Sequence, residues 1–118
     1  MLFVCYPKCS TCAAARSWLD ARGIDYAERD IKSQRPTYEE LEEWVRQSGL
    51  LLKRFFNTSG MAYRALALKD KLPAMPEDEQ LRLLASDGML VKRPILVGGG
   101  FVLVGFLPKE WEKALTGG

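Results

Sequence analysis

The chain has 118 residues, 47% of them hydrophobic and 27% charged, a length and mix that suit one hydrophobic core and exclude a disordered chain. Its 17 Lys+Arg against 15 Asp+Glu leave a net charge of +2, with the basic residues scattered, which argues against direct binding to nucleic acid. No apolar run reaches bilayer length, and Met1–Tyr6 lacks the basic flank and the length of an export signal. The chain is therefore expected to be cytoplasmic, away from the membrane, where thiols are kept reduced.

Met1 to Tyr6 is a short apolar run stopped by Pro7, which reads as a buried strand. From Ser10 to about Arg22, Cys12, Ala13, Ala14, Ala15, Trp18, Leu19 and Ala21 favour a helix, with Ser10 or Thr11 as N-cap and Gly23 as its stop. Ile24 to Ile31 carries an apolar and polar alternation, clearest at Ile24 and Tyr26, that predicts a second strand and closes a βαβ unit. Pro36-Thr37, with Glu39 and Glu40 behind it, starts a helix whose apolar stripe is Leu41, Trp44 and Val45 and which ends at Ser48-Gly49. Further helical segments are expected at about 51–56, 61–68 and 76–85, separated by Asn57-Thr58-Ser59-Gly60 and by Pro73 and Pro76. Two short strands follow, Pro94 to Val97 and Phe101 to Val104, turned by Gly98-Gly99-Gly100. Pro108 opens a last helix through Trp111 and Leu115, and the chain is expected to end without a basic tail at Thr116-Gly117-Gly118.

A parallel pair joined through a helix, then a helical stretch, then an antiparallel hairpin predicts one α/β domain spanning 1–118. The expected fold is a thioredoxin-like mixed sheet of about four strands, with a helical insert at about 37–90 between the second and third strands.

Three cysteines, Cys5, Cys9 and Cys12, lie in the first tenth of the chain. Cys9-Ser10-Thr11-Cys12 is a C-x-x-C at a strand-to-helix junction, where unpaired backbone N–H groups and the helix dipole favour a thiolate at the first cysteine. Cys9 is the predicted nucleophile, with Lys8 adjacent in sequence. A zinc site is disfavoured, because three cysteines and no histidine fall short of the four ligands that structural zinc uses, and no metal is expected. Cys5, inside the strand, reads first as a buried small hydrophobe and second as an accessory thiol.

Four segments in order, Tyr6-Pro7-Lys8-Cys9-Ser10-Thr11-Cys12, Asn57-Thr58-Ser59-Gly60, Lys92-Arg93-Pro94 and Gly105-Phe106, resemble the arsenate reductase/Spx/MgsR family over nearly the whole chain. The resemblance implies a thioredoxin fold with an insert after the second strand, Cys9 as the nucleophile, Pro94 as a structural cis-proline, and Arg93 facing the active-site cysteine. The alternative for Arg93 is a solvated surface cation. Cys12 sits where the resemblance implies an internal resolving thiol, so a reversible Cys9–Cys12 disulfide is expected.

Arsenate reductases of the family hold their oxyanion with several arginines, one in the insert and one near the fourth strand. Here Asn57-Thr58-Ser59-Gly60 and Phe101 to Phe106 contain none, so efficient arsenate reduction is not expected. The reading that results is a thiol-disulfide oxidoreductase that binds no cofactor and takes electrons from glutathione, glutaredoxin or thioredoxin. The alternative is an Spx/MgsR-type redox-sensing regulator that binds RNA polymerase.

Overall fold

The computed structural model describes residues 1–116; Gly117 and Gly118, part of the expected tail-less end, lie outside them. Among the described residues, β1 (Leu2–Cys5), β2 (Ala27–Asp30), β3 (Ile95–Val97) and β4 (Val102–Val104) form one mixed sheet in the order β2-β1-β3-β4. β1 and β2 run parallel, with Leu2 opposite Ala27 and Cys5 opposite Asp30, and are joined through helix α1 (Ser10–Ala21). β3 pairs antiparallel with both β1 and β4, and the turn between β3 and β4 is closed by Gly98 N–H donating to the Phe101 carbonyl at 2.9 Å. This is the expected thioredoxin-like sheet.

The twofold period of the strands divides the core in two. Phe3 and Cys5 of β1 and Leu96 of β3 face α1, where they bury Cys12, Ala15 and Leu19 together with Trp111 of the last helix, α6 (Pro108–Thr116). Val4, Ile95, Val102 and Val104 face the other way and pack on the insert, through Leu41, Phe55, Phe56 and Leu84 among others. A sheet covered on both faces explains why β1 reads as a continuous apolar run rather than an alternating one.

The insert between β2 and β3 holds α2 (Tyr38–Ser48), α3 (Met61–Ala65), α4 (Leu68–Lys71) and α5 (Glu77–Ser86) with short 3-10 turns between them. α2 begins at a capping box: the Thr37 hydroxyl accepts Glu40 N–H at 3.1 Å and Glu40 Oε1 accepts Thr37 N–H at 3.0 Å. Several boundaries differ from the sequence expectation. The predicted strand from Ile24 to Ile31 is shortened mainly at its start, to Ala27–Asp30, and β2 is a solvent-facing edge whose Ala27 and Glu28 are exposed. The segment at 51–56 is a 3-10 turn, Leu52–Phe55, and the one at 61–68 splits into α3 and α4 about Ala67, whose φ of 51° interrupts the helix. α6 starts at Pro108 as expected, and no helix among the described residues is long and apolar enough to cross a membrane.

Candidate active site

The site is built where β1 stops. Pro7 and Lys8 turn the chain, Cys9 N–H donates to the Tyr6 carbonyl at 3.0 Å, and α1 starts at the next residue. Cys9 itself is the N-cap, extended at φ −90°, ψ 124°, so the expected cap at Ser10 or Thr11 is displaced by one position. No side chain caps this end. The first-turn N–H groups are thereby left to the cysteine sulfur rather than to a serine or threonine hydroxyl.

The two cysteines of the C-x-x-C sit in different environments. Cys9 is partly exposed and lines a cleft of about 610 Å³, whereas Cys12 is fully buried against the sheet, its Sγ accepting Tyr6 N–H at 3.3 Å. Burial pushes the Cys9 thiol up, but the Cys12 N–H, the Cys12 thiol, the Thr11 N–H and the Arg93 guanidinium together outweigh it and hold Cys9 below its ordinary value. Cys12 goes the other way: burial, the hydrogen bond it donates to Cys9 and the nearby thiol charges push it up to about 12, against the opposing Tyr6 N–H. The pair is thus divided into an accessible sulfur whose thiolate is favoured and a sheltered one whose thiol is favoured.

Arg93 shares the cleft at this helix start, coming from the chain after the insert, and is followed by Pro94. The Arg93–Pro94 peptide is cis, Pro94 is buried, and the Pro94 carbonyl accepts Gly105 N–H at 2.8 Å, which ties the loop before β3 to the end of β4. Arg93 lines the cleft with Cys9, its guanidinium lies 5.3 Å from the centre of the Tyr6 ring, and its Nη1 is buried without a hydrogen-bond partner. Arg93 acts on Cys9 as a nearby cation in a sheltered place, not as a solvated surface charge. Lys8, the other cation considered from sequence, is exposed and does not line the cleft.

The cleft also contains residues to which sequence alone assigned no role in the site. Thr11, Asn57, Ser59 and Lys92 supply polar atoms, Met61 and Met89 supply apolar surface, and Asp87 stands at the rim. The signal for Lys92 was its place beside Arg93: the chain that turns at Pro94 delivers both cations to the same opening. Cys5, the last residue of β1, is fully buried but not isolated, because Arg16 Nη2 approaches its sulfur at 3.4 Å while the same guanidinium pairs with Glu28 at 2.8 Å. Burial and Glu28 raise the Cys5 thiol against the pull of Arg16. Among the described residues, no three His, Cys, Asp or Glu side chains converge to hold a metal ion.

A dithiol at a strand-to-helix junction and a cis-proline just ahead of β3, on a four-stranded mixed sheet, make the arrangement of a thioredoxin-like protein. The sequence pattern of the ArsC family matches residues 5–114, and the chain belongs to that family. It is 53% identical over 113 residues to YusI of Bacillus subtilis (strain 168), with 96% of each chain covered. It is 30% identical to the regulatory protein MgsR of the same organism, covering 96% of this chain and 88% of MgsR. The global transcriptional regulator Spx of Listeria innocua is 27% identical over 92% of this chain and 82% of Spx. Among solved structures, an ArsC family related protein from Bacteroides fragilis superposes with a TM-score of 0.93 at 55% identity, covering 95% of this chain and 94% of that one. A possible arsenate reductase from Streptococcus mutans gives 0.85 at 48%, covering 94% and 96%. The protein is therefore related both to arsenate reductases and to the Spx and MgsR regulators.

Proposed function

We propose that this protein is a thiol-disulfide oxidoreductase in which Cys9 is the nucleophile and Cys12 the resolving thiol. The observation that carries the reading is the asymmetry of the pair: a cleft-lining Cys9 with its pKa lowered, next to a buried Cys12 with its pKa raised. The Cys9 thiolate attacks one sulfur of a disulfide; that S–S bond breaks and the departing sulfur leaves as a thiolate that takes up a proton. The mixed disulfide at Cys9 is then attacked by Cys12, which gives up its proton, forms the Cys9–Cys12 bond and releases the second thiol. Two electrons pass from the protein dithiol to the substrate disulfide. Forming the mixed disulfide removes the Cys9 charge, and with it one of the causes that hold the Cys12 proton in place, so the first step prepares the second.

No bound cofactor is needed for this cycle, and glutathione, glutaredoxin or thioredoxin in the cytoplasm would return the disulfide to the dithiol. Arsenate is a poor candidate substrate, because Asn57-Thr58-Ser59-Gly60 and Phe101 to Phe106 bring no arginine to the cleft. The test is single-turnover reduction of a small disulfide, with arsenate as a parallel substrate. The wild-type protein should release two thiols per chain, Cys12→Ser one with a trapped adduct, and Cys9→Ser none, while arsenate turnover with glutathione and glutaredoxin stays weak. Thiol release by Cys9→Ser, or robust arsenate reduction by the wild type, would overturn the assignment.

The likeness to MgsR and Spx favours a second reading, in which the same dithiol is a sensor and a protein surface contacts RNA polymerase. Co-purification of polymerase subunits that changes between the dithiol and disulfide states would select it.

A further inference from the structure

Two cations converge on the Cys9 cleft. Lys92 and Arg93 both line it, and neither forms an ion pair among the described residues, where the paired arginines are Arg16, Arg22, Arg29, Arg46 and Arg82. Lys92 is anchored at its backbone, whose N–H donates to the Phe55 carbonyl at 2.8 Å. Its side chain runs over the end of β4: a Cβ placed on Gly105 would lie 3.5 Å from Lys92 Cε. Gly105 has a φ of 73°, a backbone conformation that suits a residue without a Cβ, and the Lys92 stem lies in ordinary van der Waals range of it. Arg93 adds the buried, unpartnered Nη1.

Among the described residues that line the cleft, the one carboxylate is Asp87, which is exposed and whose Oδ1 already accepts Met89 N–H at 2.9 Å. When Cys9 is ionised for attack, its negative charge balances Arg93. Once Cys9 becomes part of a mixed disulfide that negative charge is gone, and the sheltered guanidinium is left without compensation. A substrate that carries its own anion beside the attacked sulfur restores the balance, and a cleft of about 610 Å³ suits a small molecule.

We propose that Lys92 and Arg93 form an anion subsite beside Cys9 that selects small carboxylate-bearing disulfides over neutral and cationic ones. This rests on the exchange chemistry proposed above and names its substrate class. The reaction is the attack already described: Cys9 thiolate and the carboxylate-bearing disulfide give the Cys9 mixed disulfide and one carboxylate-bearing thiol, with the substrate itself as the oxidant. Lys92 attracts and orients the substrate anion, and Arg93 receives it.

The probes are three disulfides of similar size: 3,3′-dithiodipropionate (anionic), 2-hydroxyethyl disulfide (neutral) and cystamine (cationic). Second-order rate constants for the first attack are measured on Cys12→Ser, which holds the mixed disulfide, so failure of Cys12 as resolving thiol would not obscure the result. Each is divided by the rate with 2-mercaptoethanol to remove intrinsic reactivity. The anionic-to-cationic ratio should favour the anion by about tenfold or more and should shrink in added salt. Lys92→Gln should lower that ratio severalfold and Lys92→Glu should bring it to unity or below, and because each ratio is taken within one variant, a change in overall reactivity does not affect it. An equal response to the three probes, a preference for cystamine, which would give the cleft to Asp87, or an anion preference untouched by Lys92→Glu and by salt would overturn the proposal.

Discussion

Removing Cys9 should release its neighbour. Cys12 stands at about 12, and the thiolate fraction that follows at about pH 8 is near one in 10,000, against about one in four for an ordinary thiol. Its alkylation in the native protein should therefore be slower than that of a free cysteine by about 10³-fold from ionisation alone, before the full burial of the sulfur is counted. Burial is the largest cause of the rise, but the hydrogen bond to Cys9 and the Cys9 charge add to it. Cys9→Ala removes both and leaves burial, so the Cys12 pKa should fall towards, yet stay above, the ordinary value. Site-resolved alkylation by iodoacetamide, followed by mass spectrometry across a pH series, reads both quantities. Cys9 should be labelled first in the wild type, and Cys12 should be labelled faster in Cys9→Ala than in the wild type. Cys12 labelling that begins before Cys9, or that is unchanged by Cys9→Ala, would refute the division of roles between the two sulfurs.

Arg93→Ala should move the Cys9 alkylation profile to higher pH, because a cation that favours the thiolate is lost; an unchanged profile would show that the helix N–H groups and Cys12 suffice. Glu40 is chelated by Arg29 at 2.6 and 2.9 Å, which, against some burial, lowers its carboxyl from 4.5 to about 2. A fully shielded group would gain about 3 kcal/mol from such a depression, and screening at a carboxylate one-third exposed reduces this to about 1–2 kcal/mol. Because the folded-state pKa is the lower one, that stability is present above about pH 4.5 and is lost as pH falls towards 2; Glu40→Gln should flatten the acid limb of a urea-denaturation series over that window. Gly88→Ala should destabilise the domain by about 1–3 kcal/mol in the same assay, since the new Cβ would fall 1.9 Å from the Ile31 carbonyl oxygen and force the backbone apart.

The parts of the structure legible in the sequence were those set by local chemistry. A strand that runs into Pro7, a C-x-x-C ahead of an alanine-rich helix, a helix start at Pro36-Thr37 with Glu39 and Glu40 behind it and a Pro108 helix start are each written within a few neighbouring residues, and each is found. β2 was overextended because Ile24 and Tyr26 are apolar for packing under α1, not for pairing in the strand. The N-cap was misplaced because Ser10 and Thr11 have cap-forming side chains, whereas the turn from Pro7 puts Cys9 in the extended conformation that defines the cap. The break at Ala67 places a non-glycine residue at positive φ, which no local preference announces. Met89 could not be assigned to the cleft from sequence, and the segments of Asn57 and Lys92 were pointed to only by the family resemblance, because more than 40 residues of chain separate all three from Cys9 and only the folded insert brings them together. The Arg16 approach to Cys5 was hidden in the same way, since it depends on the register of α1 across β1 and β2.

The central claim is that Cys9 and Cys12 are one redox couple, and peptide mapping of the protein after mild oxidation with diamide tests it most directly. The account predicts a single intramolecular bond between Cys9 and Cys12 with Cys5 left as a thiol, reversed by a dithiol reductant. A Cys5–Cys9 bond, or bonds only between chains, would contradict it.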